Sequence, residues 1–269
     1  MNLPTLSTAR RSLLFLLSAA AFVLPLPASS FWPGDKPAAG RAPSSGAGFA
    51  SCPQHFAGGV PPARPAGDKL RELCFDSFAV LHSGNTKTPV YVAERLNRQT
   101  YESGTKPKRG DKFYAEARLP SSERAELADY KGSGWSRGHM APAGDMGTPE
   151  AMAQSFSLAN MVPQDRKQNG GPWAKIEEDT RRYVMRAKGD VYVITGPVFE
   201  ANPPRIGQGV AVPSHLFKLV YDPGTGKSWA HWQENSPSAT VGRPISLQEL
   251  ESRTGLGLLA GQPAQQKFR

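Results

Sequence analysis

Cysteine is nearly missing from this chain, and so is any long apolar run. Only Cys52 and Cys74 are present, neither has a second thiol nearby, and His55 alone does not complete a ligand set, so a thiolate metal cage is excluded. The apolar run from Leu13 to Leu26 is broken by Ser18 and Pro25 and is too short to cross a bilayer comfortably. No internal repeat occurs, which excludes a solenoid. Acid is also in deficit, with 23 Asp and Glu against 32 Lys and Arg, a formal net charge of +9. A polyanion is the natural partner of such a surface, although charge alone does not separate nucleic acid from an acidic envelope.

The first thirty residues carry Arg10 and Arg11, no acid, the short apolar run, and then the small residues Ala28-Ser29-Ser30. That order predicts an export signal over 1–30, cleaved after about Ser30, with an uncleaved anchor as the alternative. The adjacent arginines raise the twin-arginine route. Residues 31–50, rich in Pro, Gly, Ala and Ser, read as a disordered linker. Cys52 and Cys74 then lie in an oxidising compartment, periplasmic or extracellular, and a Cys52–Cys74 disulfide is expected. The chain from 51 to 262 is long enough for one domain, with 263–269 a frayed tail and no membrane association once the signal is gone. Without Arg10 and Arg11 the net charge is still +7.

Phe75 to His82 and Thr88 to Leu96 read as a hairpin joined at Gly84-Asn85. A helix is expected at 149–155, then strands over 156–162, 191–199, 216–221 and 228–233, and an amphipathic helix over 245–259. The fold class is α+β, a mainly antiparallel sheet flanked by helices. From 99 to 127 the pattern weakens, and the cluster Lys106, Lys108, Arg109, Lys112 and Arg118 reads residue by residue as a solvated basic loop.

The stretch from Gly134 to Arg182 holds the chemistry. Gly170-Gly171 makes a turn, Pro172 suits a first helical position, and no Gly or Pro follows until Gly189, so a helix from Pro172 to Lys188 is predicted. At 100° per residue Glu177 falls on the edge of the apolar stripe set by Trp173, Ile176 and Val184. An inward carboxylate needs a positive or hydrogen-bonding partner: a hydrated metal ion, or Arg181 one turn on. Asn169 beside two glycines is readable as turn chemistry, His139 as a packed histidine, and Arg137 as a salt-bridge partner. Together they complement one another. Phosphodiester hydrolysis needs a base, positive charge on the phosphoryl oxygens and a cation near the leaving oxygen. His139 supplies the first, Arg137 and Arg181 the second. Asn169 with Glu177 in reach suffices for Mg²⁺, which keeps most of its waters; Mn²⁺ or Ca²⁺ also accepts such oxygens.

These residues resemble a known family. Arg137-Gly138-His139 is followed thirty residues on by Asn169, eight further by Glu177 and four beyond by Arg181, with Asn160-Met-Val-Pro-Gln164 and Asn169-Gly-Gly-Pro-Trp173 between. The pattern is similar to that of the DNA/RNA non-specific endonucleases of the ββα-metal (His-Me finger) superfamily, which includes secreted bacterial nucleases and the endonuclease G group. The resemblance implies a ββα-metal finger, His139 as general base, Asn169 as direct metal ligand, and Glu177 as a water-mediated metal partner. It further implies Arg137 and Arg181 as phosphate contacts, Arg95 as a further substrate contact, and 5′-phosphate products from DNA and RNA. A homodimer and a proteinaceous inhibitor are compatible partners. Where the family usually has Asp, Ser136 stands here, a form similar to the exonuclease-G-like branch. Two other readings stay open: a nucleic-acid-binding protein with a spent site, and an esterase or phosphatase using a Ser136–His139 dyad.

Overall fold

In the computed structural model, which describes residues 48–102 and 107–261, the strand-rich segments assemble into one six-stranded antiparallel sheet and two small two-stranded ribbons. The expected export signal, residues 31–47 of the expected linker and the tail 263–269 lie outside the described residues. In chain order the strands are β1 (Leu70–Cys74), β2 (Phe78–Ser83), β3 (Thr88–Leu96), β4 (Ser136–His139), β5 (Met161–Gln164), β6 (Val191–Val198), β7 (Arg205–Ile206), β8 (Val210–Ala211), β9 (His215–Asp222) and β10 (Lys227–Glu234). The α-helices are α1 (Arg98–Glu102), α2 (Leu127–Tyr130), α3 (Pro149–Ser155), α4 (Arg166–Gln168), α5 (Ala174–Val184) and α6 (Leu247–Thr254). The main sheet runs β1-β2-β3-β6-β9-β10, every neighbouring pair antiparallel.

This sheet is covered on both sides, which is why its central strands read as near-continuous apolar runs rather than clean alternations. Alternate residues sort the two cores. One face carries Phe78, Val80, Val92 and Leu216 and packs against Met140, Trp173 and Ile176, so the segment holding the motif lies on this side. The opposite face carries Ala79, Leu81, Tyr91, Ala93, Phe217 and Leu219 and packs against Phe49, Phe56, Leu250 and Leu258. Each fully buried side chain of this size contributes about 1.5–3 kcal/mol of transfer free energy. Close packing also sets Gly196 on β6, where a Cβ would fall 2.6 Å from the carbonyl oxygen of Val90 and 2.7 Å from the ring of Phe217.

Outside the motif helix, three boundaries differ from the sequence expectation, each for a local reason, and one strand is added. The ordered body begins before residue 51: Gly48–Ser51 forms a 3-10 turn because Phe49 is an apolar anchor, its ring 4.9 Å from Phe56 and its amide donating to Glu72 Oε2 at 2.8 Å. β1 is an additional edge strand. The strand expected at 156–162 starts only at Met161, because Ser157 caps a 3-10 turn over Leu158–Asn160. The last helix stops at Thr254, where Gly255 takes a left-handed φ of 67° and closes it, and Ile245 instead bridges Ala230. The Cys52–Cys74 disulfide is formed, with Cα atoms 5.9 Å apart, and ties the N-terminal turns to the end of β1.

Candidate functional site

The Arg-Gly-His triplet sits on β4, paired with β5 so that Ser136 faces Gln164 and His139 faces Met161. Strand alternation puts Arg137 and His139 on one side and Ser136 and Gly138 on the other. A Ser136–His139 dyad is therefore not built, and no hydrogen bond joins the two among the described residues. Gly134 and Gly138 do flank Ser136 in the spacing of a hydrolase elbow, yet Ser136 lies within a strand instead of at a strand-to-helix turn. Gly138 is required by packing, since a Cβ there would lie 2.6 Å from that of Gln164. The hairpin is clamped at its far end by buried Asn160. Its Oδ1 accepts from the Ala141 amide at 2.8 Å, and its Nδ2 donates to the Ala141 and Ser155 carbonyls, both at 2.9 Å.

His139 is buried between two rings, 5.0 Å from Phe156 edge-on and 5.8 Å from Phe113. Burial, reinforced by the charges of Arg109 and then Arg137, pushes its pKa down to about 3. It is therefore a neutral imidazole at physiological pH. The Arg137 guanidinium lies over Phe113, 3.9 Å from the ring centroid, and that of Arg109 stands 5.7 Å from Phe156. The two arginines thus share their aromatic supports with the histidine.

The helix begins earlier than expected. Asp165 caps it, accepting from the Lys167 amide at 2.8 Å and the Gln168 amide at 3.0 Å, and α4 runs directly into a π turn over Asn169–Trp173 and on into α5. Asp at the cap outweighs the turn preference of Gly170-Gly171. Pro172 has no N–H to offer the carbonyl four residues back, so the helix widens there instead of breaking. Asn169 consequently projects from inside a helix, not from a loop. It is partly exposed, and its side-chain amide has no hydrogen-bond partner among the described residues, while its backbone N–H donates to the Asp165 carbonyl at 2.9 Å.

Glu177, partly exposed on α5, also accepts no hydrogen bond among the described residues. Burial pushes its pKa up to about 7; the charge of Lys218 opposes this, Asp145 adds to it and Arg181 opposes it. The simple salt-bridge reading of Glu177 is not what forms: Arg181 Nη1 donates to Asp145 Oδ1 at 2.9 Å instead, tying α5 to the loop after β4.

Arg95 is not brought to this cluster. It lies on the sheet face opposite Glu94 and meets Asp190 at 3.6 Å. Its place is taken by Arg109, whose charge acts on both His139 and Glu177, so the basic loop is not merely solvated. Beneath the helix lies a buried charged layer that the sequence reading passed over. Glu94 on β3 is wholly buried with neither carboxyl oxygen hydrogen-bonded, and its pKa is raised by burial first and by Asp145 next. Lys218 on β9 is buried too, donating to Thr195 Oγ1 at 2.8 Å, with its ammonium 5.9 Å from the Trp173 ring. Both are visible in the sequence as single charges inside apolar strands.

No group of three His, Cys, Asp or Glu able to cage a metal exists among the described residues. What exists is an open oxygen set, the unpartnered side-chain amide of Asn169 and the unpartnered carboxylate of Glu177. That set fits a hard divalent cation that keeps most of its waters, and such a charge would relieve the raised Glu177.

Comparison with known proteins agrees with this geometry. Residues 61–265 match the model of the DNA/RNA non-specific endonuclease family. The chain is 35% identical over 201 residues to a mitochondrial nuclease EXOG of Xenopus laevis, covering 67% of this chain and 56% of that one. It is 31% identical over 201 residues to nuclease C1 of Cunninghamella echinulata var. echinulata, covering 67% of this chain and 79% of that one. The chain thus spans little more than half the length of the EXOG relative. In fold it is similar to the crystal structure of an EndoG/EndoGI complex, with a TM-score of 0.63 at 24% identity over 72% of this chain and 86% of that one. With its sheet, its β4–β5–helix finger and three quarters of its length matched, this chain belongs to the DNA/RNA non-specific endonuclease family.

Proposed function

We propose that the protein is an exported, divalent-metal-dependent phosphodiesterase that hydrolyses DNA and RNA to 5′-phosphate products. The observation that carries the reading is a buried, neutral imidazole flanked by two arginines, on the same side of the sheet as the open Asn169 and Glu177 oxygen pair. Nε2 of His139 is sealed in the protein without a partner, which leaves Nδ1 as the nitrogen that takes a proton from the attacking water. The depressed pKa means that this proton is returned readily. The negative phosphate, once bound, draws the base strength of His139 back towards its ordinary value. Arg137 and Arg109 meet the phosphoryl oxygens, and Arg181, held at one edge by Asp145, adds positive charge behind them. Asn169 and Glu177 would hold the cation, Mg²⁺ or Mn²⁺, which would supply Lewis acidity to ease departure of the leaving oxygen. Phosphate contacts carry no base information, so sequence preference is slight.

The disulfide supports a periplasmic or extracellular home. By analogy with the EndoG/EndoGI complex, an inhibitor protein is a partner to look for.

The test is cleavage of plasmid and of RNA by purified protein with Mg²⁺ and with a chelator. His139→Ala should lose about 10²–10⁴-fold of the rate while retaining nucleic-acid binding, and Ser136→Ala should be mild. Loss through Ser136→Ala with His139→Ala active would sink the reading, and binding without any cleavage would mark a spent site.

A further inference from the structure

A cleft of about 440 Å³ opens beside β4, next to the reactive histidine and separate from the Asn169 and Glu177 pair. Its walls are Phe113, Leu127 and Trp135, and its charged lining is Lys131, Arg137 and Arg166. Phe113 is the shared partition: one side lies 5.8 Å from the His139 ring, and the Arg137 guanidinium covers it at 3.9 Å. Leu127 is 44% exposed, unusual for a large aliphatic side chain beside three cations.

None of Lys131, Arg137 and Arg166 meets a carboxylate among the described residues, and no carboxylate lines the cleft. Positive charge left unneutralised around aromatic and aliphatic walls matches a ligand with one anionic edge and one flat apolar face. A nucleotide has both: its phosphate is the anion and its base the stacking plane.

We infer that this cleft is a subsite for the nucleotide next to the scissile phosphate, with its base on Trp135 and Leu127 and its phosphate between Arg166 and Lys131. The inference rests on the phosphodiesterase reading and deepens it. A base enters only when it leaves the stack of a duplex, so the cleft selects single-stranded or frayed nucleic acid.

The experiment measures equilibrium binding in chelator, by anisotropy, of a short fluorescein-labelled single strand and of the blunt duplex of the same sequence. Trp135→Ala should weaken single-strand binding roughly ten- to hundredfold and leave the duplex at the wild-type value, with Trp135→Phe restoring the strand. Arg166→Ala should weaken both and flatten the salt dependence. Thermal melts identify any variant that has merely unfolded, and Trp135→Phe then carries the comparison with Trp135→Leu. Equal loss for strand and duplex, no loss, or no strand binding by the wild type overturns the cleft. Cleavage assays run in parallel separate the two claims. Cutting with an unchanged strand preference in Trp135→Ala removes the cleft alone, whereas strand-selective loss without any cutting removes the hydrolytic reading and leaves the cleft.

Discussion

The two faces of the main sheet are drawn from the same strands, one residue apart, and they are built on opposite principles. Tyr91, Ala93, Ile194, Phe217 and Leu219 present an apolar surface that is closed by the N-terminal turns, α6 and the Cys52–Cys74 bridge. Glu94, Thr195 and Lys218, their immediate neighbours, present buried polar and charged groups beneath Glu177, Asp145 and Arg181. The first face buys stability at low electrostatic cost. The second sacrifices it, since a buried ion is expensive wherever a hydrocarbon would fit. Such charge persists where it positions something, and the object it faces is the helix bearing Glu177.

The comparison breaks most sharply at adjacent residues of β9. Phe217→Ala should cost about 3–5 kcal/mol through loss of packing and leave kcat unchanged at temperatures where the protein is folded. Lys218→Met should cost roughly 3–5 kcal/mol because Glu94 and Glu177 lose their buried cation, and should lower kcat at least tenfold as well. Denaturant melts in chelator and plasmid cleavage on the same preparations check both. A Lys218→Met enzyme with wild-type kcat would mean that the charged face is structural only.

The disulfide gives a cut of the far face alone. It encloses a sequence separation of 22, and in the loop-entropy model its loss costs about 3 kcal/mol. The paired variant Cys52→Ser with Cys74→Ser should melt lower and keep its kcat and metal dependence, measured by calorimetry and cleavage. A change in metal affinity would show that the two faces are coupled through the sheet.

How much of this was readable beforehand follows the same division. Strands β2, β3, β6, β9 and β10 were visible because β-branched and aromatic runs ended at turn residues, whereas β1, Leu-Arg-Glu-Leu-Cys, has the mixed composition of a sheet edge. His139, Asn169, Glu177 and Arg181 stand out in the sequence through their spacing, whereas the helix start does not, because Gly170-Gly171 reads as a stop and the Asp165 cap overrides it. Arg95 misled for a geometric reason: in a strand buried on both sides, alternation separates Glu94 from Arg95 but does not tell which of them faces the site. Arg109 sits in a loop with no period, so nothing in its neighbourhood distinguished it from Lys108 or Lys112. Glu94 and Lys218 do carry a signal, a charge inside an apolar run, since a charge buried there needs a partner.

The smallest effect is the most specific to the charged face, because it is read from pH. Glu177 has its folded pKa raised from 4.5 to about 7 by burial, so the folded protein binds more protons than the unfolded chain between those values. The stability associated with its protonated form is fully present below pH 4.5 and is lost as pH rises through about 7. With partial exposure discounted, this amounts to about 1–3 kcal/mol in metal-free protein. Glu177→Gln should therefore be the more stable protein at pH 8 in chelator, equal to wild type near pH 4, and poor in cleavage throughout. His139 runs the other way: its folded pKa is depressed to about 3, so its contribution is present above 6.5 and is lost as pH falls towards 3. Added Mg²⁺ should raise the melting temperature of wild type at pH 8 and leave Glu177→Gln nearly unmoved. If the two proteins gain equally from the cation, Glu177 is not what holds it, and the charged face must owe its carboxylates to packing alone.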